Sequence, residues 1–88
     1  MEEILSRMAE LFDLPGEVVA GLPHTEMVGR RQLLLENHRG ILAYGAAAID
    51  VNTGVGVVRV RGEGLELLAM TAEALRIGGR IDGVDFLG

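Results

Sequence analysis

The sequence predicts a mostly β domain, a small antiparallel sandwich or roll, preceded by a helical segment at the N-terminus. Three observations carry this. Apolar residues recur with a helical period over the first dozen positions. From Met27 the period changes to two. Glycines and turn residues then break the rest of the chain into short runs. The expected division is 1–23 for the helical segment and 24–88 for the β domain, together one structural unit.

The elements follow in order. Ile4, Leu5, Met8, Leu11 and Phe12 fall on one face of a helix over about Glu2–Phe12, and Glu2 and Glu3 suit the positive end of its dipole. Such a helix is marginal alone and needs a surface to pack on. Pro15 opens a short second turn to Ala20, which Gly21-Leu22-Pro23 ends. Candidate strands are Met27-Val28, Leu33–Leu35, Ile41–Tyr44 and Ala48–Val51, with Glu36–Gly40 expected as a hairpin connection. Val58, Val60, Leu65 and Leu67 alternate with Arg59, Arg61, Glu63 and Glu66, so one strand face is wet. Leu75–Ile77 and Ile81–Phe86 continue the pattern after Thr71–Ala74. Val58, Val60, Leu65, Leu67, Ile77 and Ile81 are expected in the core, and Arg59, Arg61 and Glu66 in water. Gly45, Gly62 and Gly79 lie seventeen residues apart. A hairpin meander with glycine corners explains that spacing, and a short β-solenoid is the alternative.

Composition narrows the function. A chain of 88 residues buries only roughly 60–65% of its unfolded surface, so self-association is expected as a source of extra burial. There is no cysteine, which removes disulfides and thiolate metal sites. Eight arginines, no lysine and a net charge of −5 argue against a nucleic-acid binder. The acidic Met1-Glu2-Glu3 has the wrong sign for a secretory leader. The longest apolar run, Ile41–Ile49, is far short of the roughly 20 residues of a membrane span.

Chemistry-bearing residues are sparse. Glu36-Asn37-His38-Arg39-Gly40 is the densest polar cluster, and an acid near an imidazole invites an acid/base reading. A turn explains it better, and a recognition loop is the stronger functional alternative. His24 and His38 lack metal-ligand spacing. Ser6, the only serine, has no nucleophile elbow. Arg30, Arg31, Arg39, Arg59, Arg61, Arg76 and Arg80 form a candidate stripe that a solvated face with Glu63, Glu66, Asp82 and Asp85 as cross-strand partners accounts for, the alternative being a surface for an acidic protein or an anionic membrane. No catalytic residue, cofactor or metal is expected.

The order of motifs resembles a known family. Phe12-Asp13-Leu14-Pro15 follows the helix, then Leu22-Pro23, then Leu35-Glu36-Asn37-His38-Arg39-Gly40-Ile41-Leu42-Ala43-Tyr44, and last Gly79-Arg80-Ile81-Asp82-Gly83-Val84-Asp85-Phe86. This is similar to the YabP/YqfC family of sporulation proteins, on its YqfC branch. The E-N-H-R-G-[IL]-L-A-[FY] stretch is the most specific part. The resemblance implies a protein of endospore-forming bacteria, made in the mother cell, with a small sandwich-like β fold and no catalytic activity. It also implies a membrane-bound partner like YqfD. The absence of lysine and the alanines within Gly45–Ala48 depart from typical members.

Three functions compete. One is an adaptor or structural component in the mother-cell cytoplasm, peripheral at the forespore membrane or in the coat. The second is a self-assembling β scaffold, and the third an enzyme of unknown type. For the adaptor, the expected protein-contact residues are Ile4, Met8 and Leu11 on the helix and Glu36, Asn37, His38, Arg39 and Gly40 in the polar segment. The helix stripe is expected either to pack on its own sheet or to make a contact between molecules.

Overall fold

The computed structural model describes residues 22–88. These form six strands: β1 (His24–Val28), β2 (Gln32–Glu36), β3 (His38–Tyr44), β4 (Ala48–Thr53), β5 (Gly56–Met70) and β6 (Ala74–Leu87). All are antiparallel neighbours in one sheet of order β1-β2-β6-β5-β4-β3. The fold is therefore mostly β, as expected. The solenoid alternative is overturned, because it needs parallel rungs and every pairing here is antiparallel. The helical segment, with Ile4, Met8 and Leu11, lies outside the described residues.

The runs Val58–Leu67 and Leu75–Phe86 are parts of two long strands, β5 and β6, and not a series of short ones. Each serves two halves of the sheet. The first part of β5 pairs with β4 and with the end of β6. Its second part pairs with the start of β6, which in turn pairs with β2. Between the halves both strands bend. The register breaks at Arg61/Gly62 and again between Glu63 and Glu66. A Cβ on Gly62 would overlap the Arg80 carbonyl oxygen, and one on Gly79 (φ 122°) would lie 2.6 Å from the Gly64 oxygen. Two of the evenly spaced glycines thus sit side by side at the corner because backbone passes where a side chain would stand.

Neighbouring turns brace the corner from both sides. The Gly62 and Leu65 amides donate to the Ala47 and Ala46 carbonyls at 3.0 and 2.9 Å. On the other flank the Gly79 and Ile81 amides donate to the Arg31 and Arg30 carbonyls at 3.2 and 2.7 Å.

Strand order shows that the sheet curls over on itself. β2 and β3 stand four strand spacings apart, about 19 Å in a flat sheet. Yet Asn37 alone joins them, and two Cα steps span no more than about 7.6 Å. Only a curled sheet brings those strand ends together. Its concave face holds the core: Leu33, Leu35, Leu75 and Ile77 from one half, Ile49, Val51 and Val60 from the other, and Leu65 and Ile81 at the bend. Val58 is also buried, and Leu67 packs against the cluster half-buried. Arg61 and Glu66 are exposed, and Arg59 half-exposed, so the expected register holds.

Candidate functional site

The polar segment differs from expectation. Glu36–Gly40 is not a hairpin connection, because β2 and β3 do not pair with each other. It is a one-residue crossover. Asn37 takes the left-handed φ of 64°, which asparagine tolerates better than most residues, and turns the chain there. Its amide nitrogen donates to the Leu22 carbonyl at 2.7 Å, tying the start of β1 to the crossover. The backbone amides of Asn37 and His38 both point at the Glu73 carbonyl, at 2.6 and 3.3 Å.

His38 turns inward and is 8% exposed. The Gly40 amide donates to its Nδ1 at 3.0 Å, so that nitrogen carries no proton. Its Nε2 lies 2.9 Å from the Thr71 carbonyl, which only accepts, so the proton sits on Nε2. Both ring nitrogens are thereby used within the fold, joining β3 to the β5–β6 turn. Thr71 caps that turn in its own right, since its hydroxyl accepts from the Ala74 amide at 3.0 Å.

The remaining members of the segment diverge. Glu36 is half-buried at the end of β2, Gly40 holds a φ of 102°, and Arg39 is exposed. The Arg39 guanidinium lies over Gly54, where a Cβ would meet its Nη2 at 3.4 Å. Of the five residues, Arg39 offers the most to a partner, while Asn37 and His38 are bound into the crossover.

The outer face of the first half is a row of paired charges. Arg59 grips Asp50 on the opposite strand with two hydrogen bonds of 2.8 and 2.9 Å. That guanidinium holds the Asp50 carboxyl below its usual range, against the opposing effect of partial burial. Arg61 pairs with Asp85. Arg80 pairs with Asp82 and Glu63, and Arg30 adds a second bond to Asp82 at 2.9 Å. The Asp82 carboxyl is accordingly lowered, chiefly by the hydrogen bond from Arg80. Arg30, Arg59, Arg61 and Arg80 of the arginine stripe thus form an interleaved surface network, with Asp50 as a partner that sequence reasoning did not name, whereas among the described residues Arg31, Arg39, Arg76 and the expected partner Glu66 join no ion pair.

Two shallow grooves run from the bend across the other half. One of about 670 Å³ runs between Arg30, Arg31, Glu66 and Arg80. The other, about 340 Å³, is lined by Leu34, Leu68, Met70 and Arg76. Their residues are far apart in sequence, and only the β2–β6–β5 pairing joins them. Among the described residues no three His, Asp or Glu side chains gather as a metal site, and no helix is long and apolar enough to cross a membrane.

The residues that build this sheet and its asparagine–histidine crossover fall within the match to a known family. The YabP family matches residues 23–88, and the chain belongs to that family. A relative from Bacillus subtilis (strain 168), named "Uncharacterized protein YqfC", is 28% identical over 80 residues, spanning 91% of this chain and 86% of the relative. The family places the protein among those related to sporulation.

Proposed function

We propose that the protein is a non-catalytic sporulation protein, an adaptor or structural component. It works on the cytoplasmic side of the mother cell, at the forespore membrane or coat, and docks on a membrane protein of the YqfD kind. Family membership over residues 23–88 supports the sporulation setting. The state of His38 is the observation that carries the rest. The imidazole of the Glu36–Gly40 cluster spends both ring nitrogens on backbone groups, so that cluster is built for shape and offers no free base for proton transfer. In this reading the rolled β domain, a small relative of the sandwich, is a rigid platform. Arg39 and the apolar stripe of Ile4, Met8 and Leu11 are its contact points.

The test is co-expression of the tagged full chain with a YqfD-like membrane protein, followed by detergent extraction and affinity capture. Recovery of the two in fixed ratio, reduced by Arg39→Glu or by Met8→Asp, is the expected result. Absence of a complex, together with even cytoplasmic distribution of a fluorescent fusion in sporulating cells, overturns the adaptor reading. The scaffold alternative rests on the exposed edge strand β1. Light scattering that grows without limit as concentration rises would favour it.

A further inference from the structure

The outward edge of β1 is a terminal edge of the sheet. Among the described residues β1 pairs with β2 alone, and all five of its residues are exposed. The turn that follows fixes which backbone groups face out. The Val28 carbonyl accepts from the Arg31 amide at 3.2 Å, so Val28 turns its peptide groups toward β2. Strand alternation turns Glu26 and His24 the same way, and leaves the amides and carbonyls of Thr25 and Met27 pointing outward. The Asn37 bond to the Leu22 carbonyl agrees, because Leu22 shares the parity of His24.

We propose that this edge pairs with β1 of a second copy of the chain, antiparallel about a twofold axis at Thr25. Three axes would align the outward groups within the strand. An axis at Glu26 sets that carboxylate opposite itself, and like charges directly opposed weaken a strand pair. An axis at Met27 sets Thr25 opposite Gly29, whose φ of 55° has already left the strand. The axis at Thr25 sets His24 opposite Glu26 of the second copy, and Glu26 opposite its His24. These two side chains already lie 3.3 Å apart on one face of β1, and the twofold turns that couple into two cross-strand pairs. Beyond β1, the same axis carries Val28, 68% exposed, toward Leu22, 42% exposed at the bend before the strand, and Met27, 45% exposed, toward Pro23, which leads into it.

The backbone fits this register. The two Thr25 residues exchange a pair of hydrogen bonds, and each Met27 amide meets the Pro23 carbonyl of the other copy. Pro23 has no amide hydrogen, so the ladder stops there. The result is a short, isologous and closed contact, a dimer and not a growing array.

The chain contains no cysteine, so one introduced thiol reports the register cleanly. In the full-length protein, Thr25→Cys places two thiols on a strand pair with Cα atoms about 5.5 Å apart, within disulfide range. Mild oxidation is expected to give a covalent dimer. Met27→Cys puts its two thiols about 13 Å apart and is expected to give only background cross-linking. Sedimentation of the unmodified chain should show a monomer–dimer equilibrium. His24→Glu should weaken it by about tenfold, and adding Glu26→His should restore most of the loss. The proposal is overturned by a chain that stays monomeric as concentration rises, by equal cross-linking at the two positions, by an oligomer indifferent to His24→Glu, or by open-ended growth.

Discussion

Replacing His38 by alanine tests whether the crossover is held from inside. The imidazole makes two hydrogen bonds, to the Thr71 carbonyl and from the Gly40 amide, at 2.9 and 3.0 Å. Each is worth about 0.5–1.5 kcal/mol net. Loss of the ring also leaves a partly buried amide and carbonyl in search of partners, adding up to about 1 kcal/mol. The expected cost is about 2–3 kcal/mol, a large share of the roughly 5–15 kcal/mol that holds a domain folded. With a urea slope of about 1 kcal/mol/M for so small a domain, the unfolding midpoint should fall by about 2–3 M. Arg39→Ala, one residue on and exposed, should move the free energy by less than about 0.5 kcal/mol. Equal midpoints for His38→Ala and the parent would refute the argument, and would return His38 to the role of a recognition residue.

Three further outcomes follow from the same geometry. Gly62→Ala should lower stability by about 1–3 kcal/mol in thermal melts, because the Arg80 carbonyl occupies the site of the new methyl group. Leu33→Ala, at a fully buried position, should cost about 2–5 kcal/mol in denaturant titration, and Leu67→Ala distinctly less because that side chain is only half-buried. Asp50 has a folded pKa lowered by Arg59, so the stability from this pair is complete above the unfolded value near ~3.9 and is lost as pH falls through the folded value. Asp50→Asn should therefore be less stable than the parent at pH 6, with the gap narrowing from about pH 4 downward in urea melts.

Most of the sheet was legible because its signal is local. Val58, Val60, Leu65, Ile77 and Ile81 alternate with charges, and alternation alone assigns the buried face. The evenly spaced glycines likewise announced corners. What stayed hidden depends on which strands meet. Glu36–Gly40 has the composition of a hairpin turn, and nothing local shows that β2 leaves for the far edge of the sheet. His38 looked available because it is flanked by polar residues, but its partner Thr71 is 33 positions away. Asp50 was overlooked as a partner of Arg59 because the strand register pairing them emerges only once β4 and β5 align. The curl escaped for the same reason, since it follows from strand order combined with the length of one link.

The two long strands also bear on how the molecule comes apart. β5 and β6 belong to both halves of the curled sheet, so neither half can open while the other keeps its complete set of strands. A small sheet split into two independent hairpin layers could fray in stages, with each layer exchanging its amide hydrogens at its own rate. Here the Gly62–Gly79 corner couples the two sets of hydrogen bonds. The amides of Val60 and Ile77, on opposite sides of that corner, should exchange with the same free energy, as members of one cooperative unit.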